Sequence, residues 1–373
     1  MRGAGAAYRV LILTAAMGGG HLQVSRELAR RLAARGHQPQ VVDMLELMPA
    51  PAGRFLRWLY PWMVRRAPWL YDVVYAQFFT APQRRAERGQ LPVRLAGRRL
   101  RRLVNEQKPD VVVSTYHLAG VAAARLREQR KLSAPAITFI TTFGVHNLWL
   151  HPGTDAYITI TDDAAREVSV RTGGRSAVVC EPVVRPAFVH PQSRPPATTT
   201  AGPPERERLA FIVAGSLGLG PVAEAARVLA RAPGWVPIVV CGRNERLRRR
   251  LSKLPGVEAL GWVEDMAMLM ADADVVIDNA AGSSAKEALA LGVPVITYRP
   301  IAGHGRDDAL MMQRSGLTDV IDRPNDLVAG LDRIMAEPAR AGRIRRGHAL
   351  FGTDPARCVE RIAAGGGVAV AGV

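Results

Sequence analysis

Short apolar runs rich in valine and isoleucine alternate with helix-patterned stretches along most of the chain, and no other feature restricts the possible folds as much. "RVLIL", "PQVVD", "DVVVST", "AITFIT", "AYITIT" and "AVVCEP" punctuate the first half; "LAFIVAG", "VPIVVCG", "VEALG", "DVVIDN" and "PVITYR" punctuate the second. Runs that are apolar throughout, rather than at every other residue, predict strands covered on both faces, as in a parallel sheet. Helical stretches such as 22–35 and 285–291 fall between them, so the β–α–β pattern appears twice. At 373 residues the chain also exceeds one ordinary core. Between the halves, "HPQSRPPATTTAGPPERER" (190–208) is rich in Pro and Thr and has no apolar period, which predicts a linker. The expected organisation is a Rossmann-like domain over 1–189, the linker 190–208, a second Rossmann-like domain over 209–362 and a frayed tail over 363–373. A cleft between two such domains is the expected ligand site.

Charge adds a second constraint. The formal net charge is +17, and of 50 Lys and Arg only Lys108, Lys131, Lys253 and Lys286 are lysine. Arginine in place of lysine, with abundant Ala, Gly and Pro, fits the codon bias of a GC-rich bacterial genome. That bias does not explain an uneven distribution. From Arg54 to Arg102 twelve arginines face two acids, Asp72 and Glu87. Such a basic surface suits lipid phosphate or nucleic acid. The stretch 55–79 inside it carries nine aromatic side chains, and Pro61 and Pro68 are expected to break it into short helices. Trp58, Trp62 and Trp69 beside Arg65 and Arg66 resemble a segment lying at an anionic membrane surface. A buried helical hairpin or a nucleic-acid surface would use the same residues. No nucleic-acid module is recognisable, so no specific nucleic-acid partner is expected. No apolar stretch reaches the roughly 20 residues a spanning helix needs, and the run Val10–Leu13 is too short for a signal peptide. Membrane contact is therefore expected to be peripheral, from the cytoplasmic face. Cys180, Cys241 and Cys358 have no metal-type spacing and suggest a reduced compartment.

Both halves open with strand, glycine turn and helix. In "VLILTAAMGGGHLQVSREL" the turn holds Gly18, Gly19, Gly20 and then His21; in "AFIVAGSLGLGP" it holds Gly215, Ser216, Gly218 and Gly220. Neither has dinucleotide spacing or a P-loop lysine. Each is either a tight turn or a place where helix N-terminal N–H groups meet an anion. His21 is either a buried or capping residue or a general base. In "GSSAKEAL" (282–289), Ser284 and Glu287 have capping-box spacing; the functional alternative is that Glu287 accepts hydrogen bonds from two ribose hydroxyls. Arg243, in "VVCGRNERL", is either a solvated loop residue or a phosphate contact at a strand's carboxyl end. Asp272–Ala273–Asp274 has the Asp-x-Asp form of a metal–nucleotide site, but at a helix-to-strand junction it reads as structural, and no metal is expected.

Taken in order, "GGGHLQVSREL", "KPDVVVST", "TTFGVHNLWLHPGTDAYITIT", "PVVRPAF", "VVCGRNERL", "GWVEDMAMLMADADVVIDNAAGSSAKEAL" and "RPIAGHG" resemble the monogalactosyldiacylglycerol synthase and processive diacylglycerol glucosyltransferase family over about residues 8–335. The second half also resembles MurG-type N-acetylglucosaminyltransferases. The resemblance implies a GT-B α/β fold, with the acceptor held by the first domain and the nucleotide sugar mainly by the second. It implies inverting transfer of a hexose from a UDP-sugar to a diacylglycerol-like lipid, with no metal and no cofactor beyond the co-substrate. Carried over residue by residue, it gives His21 the acceptor chemistry. Gly19, Gly20, His146, Trp149 and His151 fall on the acceptor side. Gly215, Ser216, Gly218, Arg243, Asn244, Gly282, Ser283, Ser284, Glu287, Gly303 and His304 fall on the donor side. The chain departs from the pattern at Thr142, where relatives carry Asp, and at Glu181, Ala214 and Ala281, which replace glycines; Asp308 stands near an expected Asn. Loss of an acid at 142 opens the alternative of a non-catalytic member that binds lipid or UDP-sugar. A nucleotide-sugar epimerase is a further alternative, because it shares the two-domain fold.

Overall fold

A computed structural model describes residues 7–17, 19–80, 91–175, 177–189, 207–213, 215 and 220–365. The chain divides into two compact units, one formed by Met1–Val183 with Leu350–Val373, the other by Val184–Ala349.

In the first unit β1 (Arg9–Thr14), β2 (Gln38–Asp43), β3 (Val111–Ser114), β4 (Ala136–Phe139), β5 (Ala156–Thr159) and β6 (Ala177–Val179) form one sheet in the order β2-β1-β3-β4-β5-β6. Every pairing is parallel, as the unbroken apolar runs require. Leu11, Leu13 and Val112 pack from the sheet against Val93, Ala96, Ala119 and Ala122 of the helical layer. Because β1 is flanked by β2 on one side and β3 on the other, the chain reverses direction across the sheet there. Loops after β1 and β3 therefore diverge at a topological switch point, where α/β sheets leave a crevice. Helix α1 (Gly19–Ala34) starts in the first loop. Helix α2 (Ala50–Arg66) continues through Pro61, contrary to the expected break, and Pro68 instead opens α3 (Pro68–Tyr75), where its missing N–H has no helical partner to lose. A π-helical turn, Ala76–Thr80, follows α3, and α4 (His117–Glu128) starts in the loop after β3.

The C-terminal helix Pro355–Ala363 corrects the domain boundaries expected from sequence, because it packs in the first unit. Charge and buried contacts hold it there. Glu360 accepts from Arg35 at 2.7 and 2.5 Å and lies 2.6 Å from His37 Nε2. Arg31 of α1 binds Glu181 and reaches Asp354 at 3.3 Å, while the Glu181 amide donates to the Thr353 carbonyl at 2.9 Å. The buried Cys180 and Cys358 sulfurs come within 2.7 Å. Glu181 is thus a counter-charge of Arg31. The first unit ends at Val183, ahead of the expected linker, and the short helix Pro186–Val189 belongs to the second unit. Residues 190–206 of the expected linker and 366–373 of the expected tail lie outside the described residues.

The second unit repeats the plan. Strands β7 (Arg208–Val213), β8 (Trp235–Val240), β9 (Glu258–Leu260), β10 (Val275–Asp278), β11 (Val295–Tyr298) and β12 (Thr318–Ile321) run in the order β12-β11-β10-β7-β8-β9, all parallel. Here the switch point falls between β7 and β10. Strand β12 was not among the expected strands, since "TDVI" is too short and mixed to stand out. Asp274 accepts from the Leu209 amide at 2.8 Å, so the Asp-x-Asp stretch ties the start of β10 to β7. Helix α5 (Ser283–Ala290) follows β10 and α6 (His304–Arg314) follows β11.

Candidate functional site

His21 sits in the first turn of α1 at the switch point of the first sheet, half-buried. Its Nδ1 lies 2.9 Å from the Thr115 carbonyl oxygen, with Thr141 Oγ1 at 3.5 Å. A carbonyl oxygen only accepts, so Nδ1 carries the proton and Nε2 is left as the basic nitrogen. Ser25, one turn along α1, fixes this geometry. Its hydroxyl donates to the His21 carbonyl at 2.8 Å and shares a hydrogen bond of 2.7 Å with Thr115 Oγ1. Two loops of the switch point are thereby locked around one imidazole. Gly19 and Gly20 form the start of the helix, and Gly18 lies outside the described residues.

Aromatic rings gather beside it. Tyr116 meets the His21 ring edge-on at 5.3 Å between centroids, and Trp149 lies 6.5 Å away. His146 stacks on Trp149 at 5.3 Å. Burial drives the Tyr116 hydroxyl well above the ordinary tyrosine range. Thr142 accepts from the Trp149 indole N–H at 3.1 Å and donates to the Gly144 carbonyl at 2.9 Å. The position is therefore a strut for Trp149. His151 serves the local turn: its Nδ1 accepts from the Gly153 amide at 3.0 Å, and its backbone is pinned by Tyr157 Oη.

In the second unit the loop after β10 is folded by Asp278. Its carboxylate accepts from the amides of Ala280 at 3.2 Å and Gly282 at 3.4 Å and from Thr297 Oγ1 at 3.2 Å, and burial raises its pKa despite these bonds. Ala281 has φ 48°, left-handed backbone in which a glycine would be relaxed. The loop after β7 approaches from the other side of the switch point. Gly220 has φ 90°, and the Asn279 amide nitrogen occupies the space a Cβ would need, 1.6 Å away. Gly215 is also left-handed, at φ 64°; Ala214, Ser216 and Gly218 lie outside the described residues.

Gly282 is the N-cap of α5, with no side-chain capping bond. This corrects the capping-box reading: the helix starts at Ser283, so Ser284 lies within its first turn. The first-turn amides of Ser283, Ser284 and Ala285 have no carbonyl partner inside the helix and favour an anion. Glu287 is buried at 6 % exposure, and its Oε1 lies 4.0 Å from Arg185 Nε. Arg185 in turn stacks on Phe188 at 4.9 Å. Burial lowers the pKa of Lys286, also in α5, while Asp308 and Asp278 oppose that shift. Lys286 thus answers the extra carboxylate at 308. Gly303 caps α6 at φ 70°, and burial, aided by Lys286, pushes His304 down to about 4. Asn244 caps the helix Glu245–Leu251 by accepting from the Leu247 amide at 3.0 Å. Arg243 lies 4.7 Å over the Trp262 ring.

The basic, aromatic helices present rings to solvent. Trp58, Trp62 and Trp69 are 58, 40 and 67 % exposed, and Trp58 stacks on Trp62 at 5.9 Å. Arg66 is exposed, whereas the Arg65 side chain lies outside the described set. Among the described residues, no helix is long and apolar enough to cross a membrane, and no group of three His, Cys, Asp or Glu is placed to hold a metal.

This paired plan agrees with the relatives. The family model for monogalactosyldiacylglycerol (MGDG) synthase matches residues 21–178, and that for glycosyl transferases group 1 matches 218–337. The processive diacylglycerol beta-glucosyltransferase of Bacillus subtilis (strain 168) is 27 % identical over 346 residues, 91 % of this chain and 90 % of the relative. The chain is related to the monogalactosyldiacylglycerol synthase and processive diacylglycerol glucosyltransferase family. The corresponding enzyme of Bacillus mycoides (strain KBAB4) is 28 % identical over 359 residues, covering 88 and 86 % of the two chains. Among solved structures, spinosyn rhamnosyltransferase SpnG with thymidine diphosphate has a TM-score of 0.65 at 14 % identity, covering 95 % of this chain and 99 % of that one. Acinetobacter baumannii MurG has 0.60 at 16 %, covering 96 and 100 %. The fold is GT-B.

Three residues beside these sites escaped sequence reasoning. His117 opens the helix after β3 as His21 opens the helix after β1, a parallel visible in "STYHLAG" once both strands are placed. Lys286 hid inside a motif read only for its serines and glutamate. Arg185 lay in "PVVRPAF" with no chemistry attached.

Proposed function

We propose that this protein is an inverting, metal-independent glycosyltransferase that moves a hexose from a UDP-sugar to the free hydroxyl of a diacylglycerol-like lipid, while resting on the cytoplasmic, anionic face of a membrane. The observation carrying the reading is the His21–Thr115 hydrogen bond, which holds the ring with its proton on Nδ1 and leaves Nε2 as the basic nitrogen. In the proposed reaction Nε2 removes the acceptor hydroxyl proton. The oxygen attacks the anomeric carbon from the face opposite UDP, and the carbon–oxygen bond to the diphosphate breaks with its electron pair leaving on UDP. Support for the donor half comes from the open amides at the start of α5, the tight turn at Gly220 and the buried Glu287. Those amides and the helix dipole stabilise the charge gathering on the diphosphate. The exposed tryptophans and surrounding arginines support membrane contact, where each Arg contributes only about 1 kcal/mol and several must act together.

Thr142 favours a second reading, a binding member without turnover, because its hydroxyl is committed to Trp149 and Gly144. One experiment separates the readings. UDP-sugars and other nucleotide sugars are incubated with the protein and a membrane lipid extract, and products are analysed by mass spectrometry. Lipid heavier by one hexose, with UDP released only when acceptor is present, is the expected result. Calorimetric binding without product selects the binding member, and an isomerised nucleotide sugar without acceptor selects an epimerase.

A further inference from the structure

The helices that carry the exposed tryptophans turn a second row of rings inward, and this row continues without a gap to His21. Tyr71, Tyr75 and Phe79 recur every fourth residue along α3 and the π-helical turn. Tyr60 of α2 meets Tyr71 at 5.7 Å, Tyr71 meets Tyr75 at 6.5 Å, and Tyr75 stacks on Phe79 at 4.9 Å. Phe79 then wedges between two imidazoles, 5.0 Å from His117 and 4.8 Å from His146. Those rings lie 5.1 Å apart and both touch Trp149, the indole next to His21. His117 closes the circuit through Tyr116 at 4.2 Å. Tyr71 and Tyr75 of the row are buried, and burial pushes the Tyr60 hydroxyl up to about 12.

Phe79 itself is not sealed off. It is half-buried, so one part of the ring is anchored by the imidazoles and another remains reachable. It lies in a wide π turn, a distortion that concentrates at functional sites because it re-aims side chains at a cost in helix stability. A diglyceride has a polar hydroxyl joined to long apolar chains, so a site that activates the hydroxyl needs an apolar surface leading up to the base. The ring row supplies one.

We infer that Phe79 and His117 are acceptor-positioning residues, forming with His146 and Trp149 the wall along which the glyceride part of the lipid lies while its hydroxyl reaches His21. This rests on the lipid-acceptor reading above and adds two residues to it. It also makes the inner face of α3 part of the reaction site, whereas the outer tryptophans serve the membrane.

The test uses the full-length protein titrated calorimetrically with dioctanoylglycerol in neutral detergent micelles, and separately with UDP. Phe79→Ala and His117→Gln are expected to weaken diglyceride binding about tenfold, the size of one lost aromatic contact, with UDP affinity and melting temperature near wild type. Phe79→Trp restores binding by replacing the ring. Phe79→Leu substitutes for Phe79→Ala should the latter fail to fold, and His117→Phe does the same for His117→Gln. Sedimentation with anionic vesicles is expected to be unchanged in all of them. Wild-type binding with equal diglyceride affinity in Phe79→Ala overturns this proposal alone. So does a loss of vesicle sedimentation matching the loss of diglyceride binding, which would make Phe79 a membrane anchor. Wild-type protein that takes up no diglyceride overturns the lipid-acceptor reading and the proposal with it.

Discussion

Replacing Glu287 probes the donor half of the account through a quantity that does not depend on turnover. The carboxylate is 6 % exposed on the first turns of α5, and the Arg185 Nε lies 4.0 Å from it, an ion pair beyond hydrogen-bond reach. If it accepts from both ribose hydroxyls of UDP, each bond to a charged acceptor contributes about 1.5–3 kcal/mol, against about 1 kcal/mol for a neutral one. Glu287→Gln then costs about 2 kcal/mol over two bonds, or about thirtyfold in Kd. Glu287→Ala costs at least about 3 kcal/mol, beyond one hundredfold. Calorimetry with UDP and with 2′-deoxy-UDP isolates the ribose contact. Wild type is expected to bind the deoxy compound about tenfold more weakly, and Glu287→Ala to bind the two alike. Unchanged UDP affinity in Glu287→Ala, or a deoxy penalty that survives the substitution, refutes the ribose assignment.

Other outcomes follow from the same geometry. Trp58→Ala, Trp62→Ala and Trp69→Ala combined are expected to abolish sedimentation with anionic vesicles while sparing UDP affinity; binding to wild-type protein is expected to fall as salt rises, since part of it is electrostatic. Ala281→Gly is expected to stabilise the protein by about 1 kcal/mol, because left-handed backbone penalises any Cβ; thermal melting reads the sign. His304 is held at about 4, below its usual value, so folded protein declines a proton that unfolded chain accepts. Stability from this group is complete above pH ~6.5 and is lost as pH falls toward about 4, by at most about 3 kcal/mol. His304→Asn is expected to flatten that part of a denaturation-against-pH profile.

The fold was legible because buried parallel strands leave unbroken apolar runs, and eleven of the twelve strands among the described residues announced themselves that way. The glycine turns were legible for a related reason: a chain leaving a strand at a switch point must turn sharply, and Gly220 shows how little room it has. Long-range partners were not legible. Nothing in "PARCVERIA" says that this helix packs in the first unit; that depends on Glu360 meeting Arg35 and His37, hundreds of residues earlier in the chain. Helix registers failed by one residue where it mattered. The spacing of Ser284 and Glu287 is right for a capping box, but Asp278 gathers the loop amides so that the helix starts at Ser283. Lys286 and Asp308 each look out of place alone and make sense only as neighbours.

Turnover of His21→Ala under saturating UDP-sugar and diglyceride tests the central claim most directly. The account predicts a fall in kcat of roughly 10²–10⁴, the contribution of a positioned general base, with UDP and diglyceride affinities retained. Wild-type turnover in the variant would contradict it, because the imidazole locked by Thr115 would then have no part in activating the acceptor.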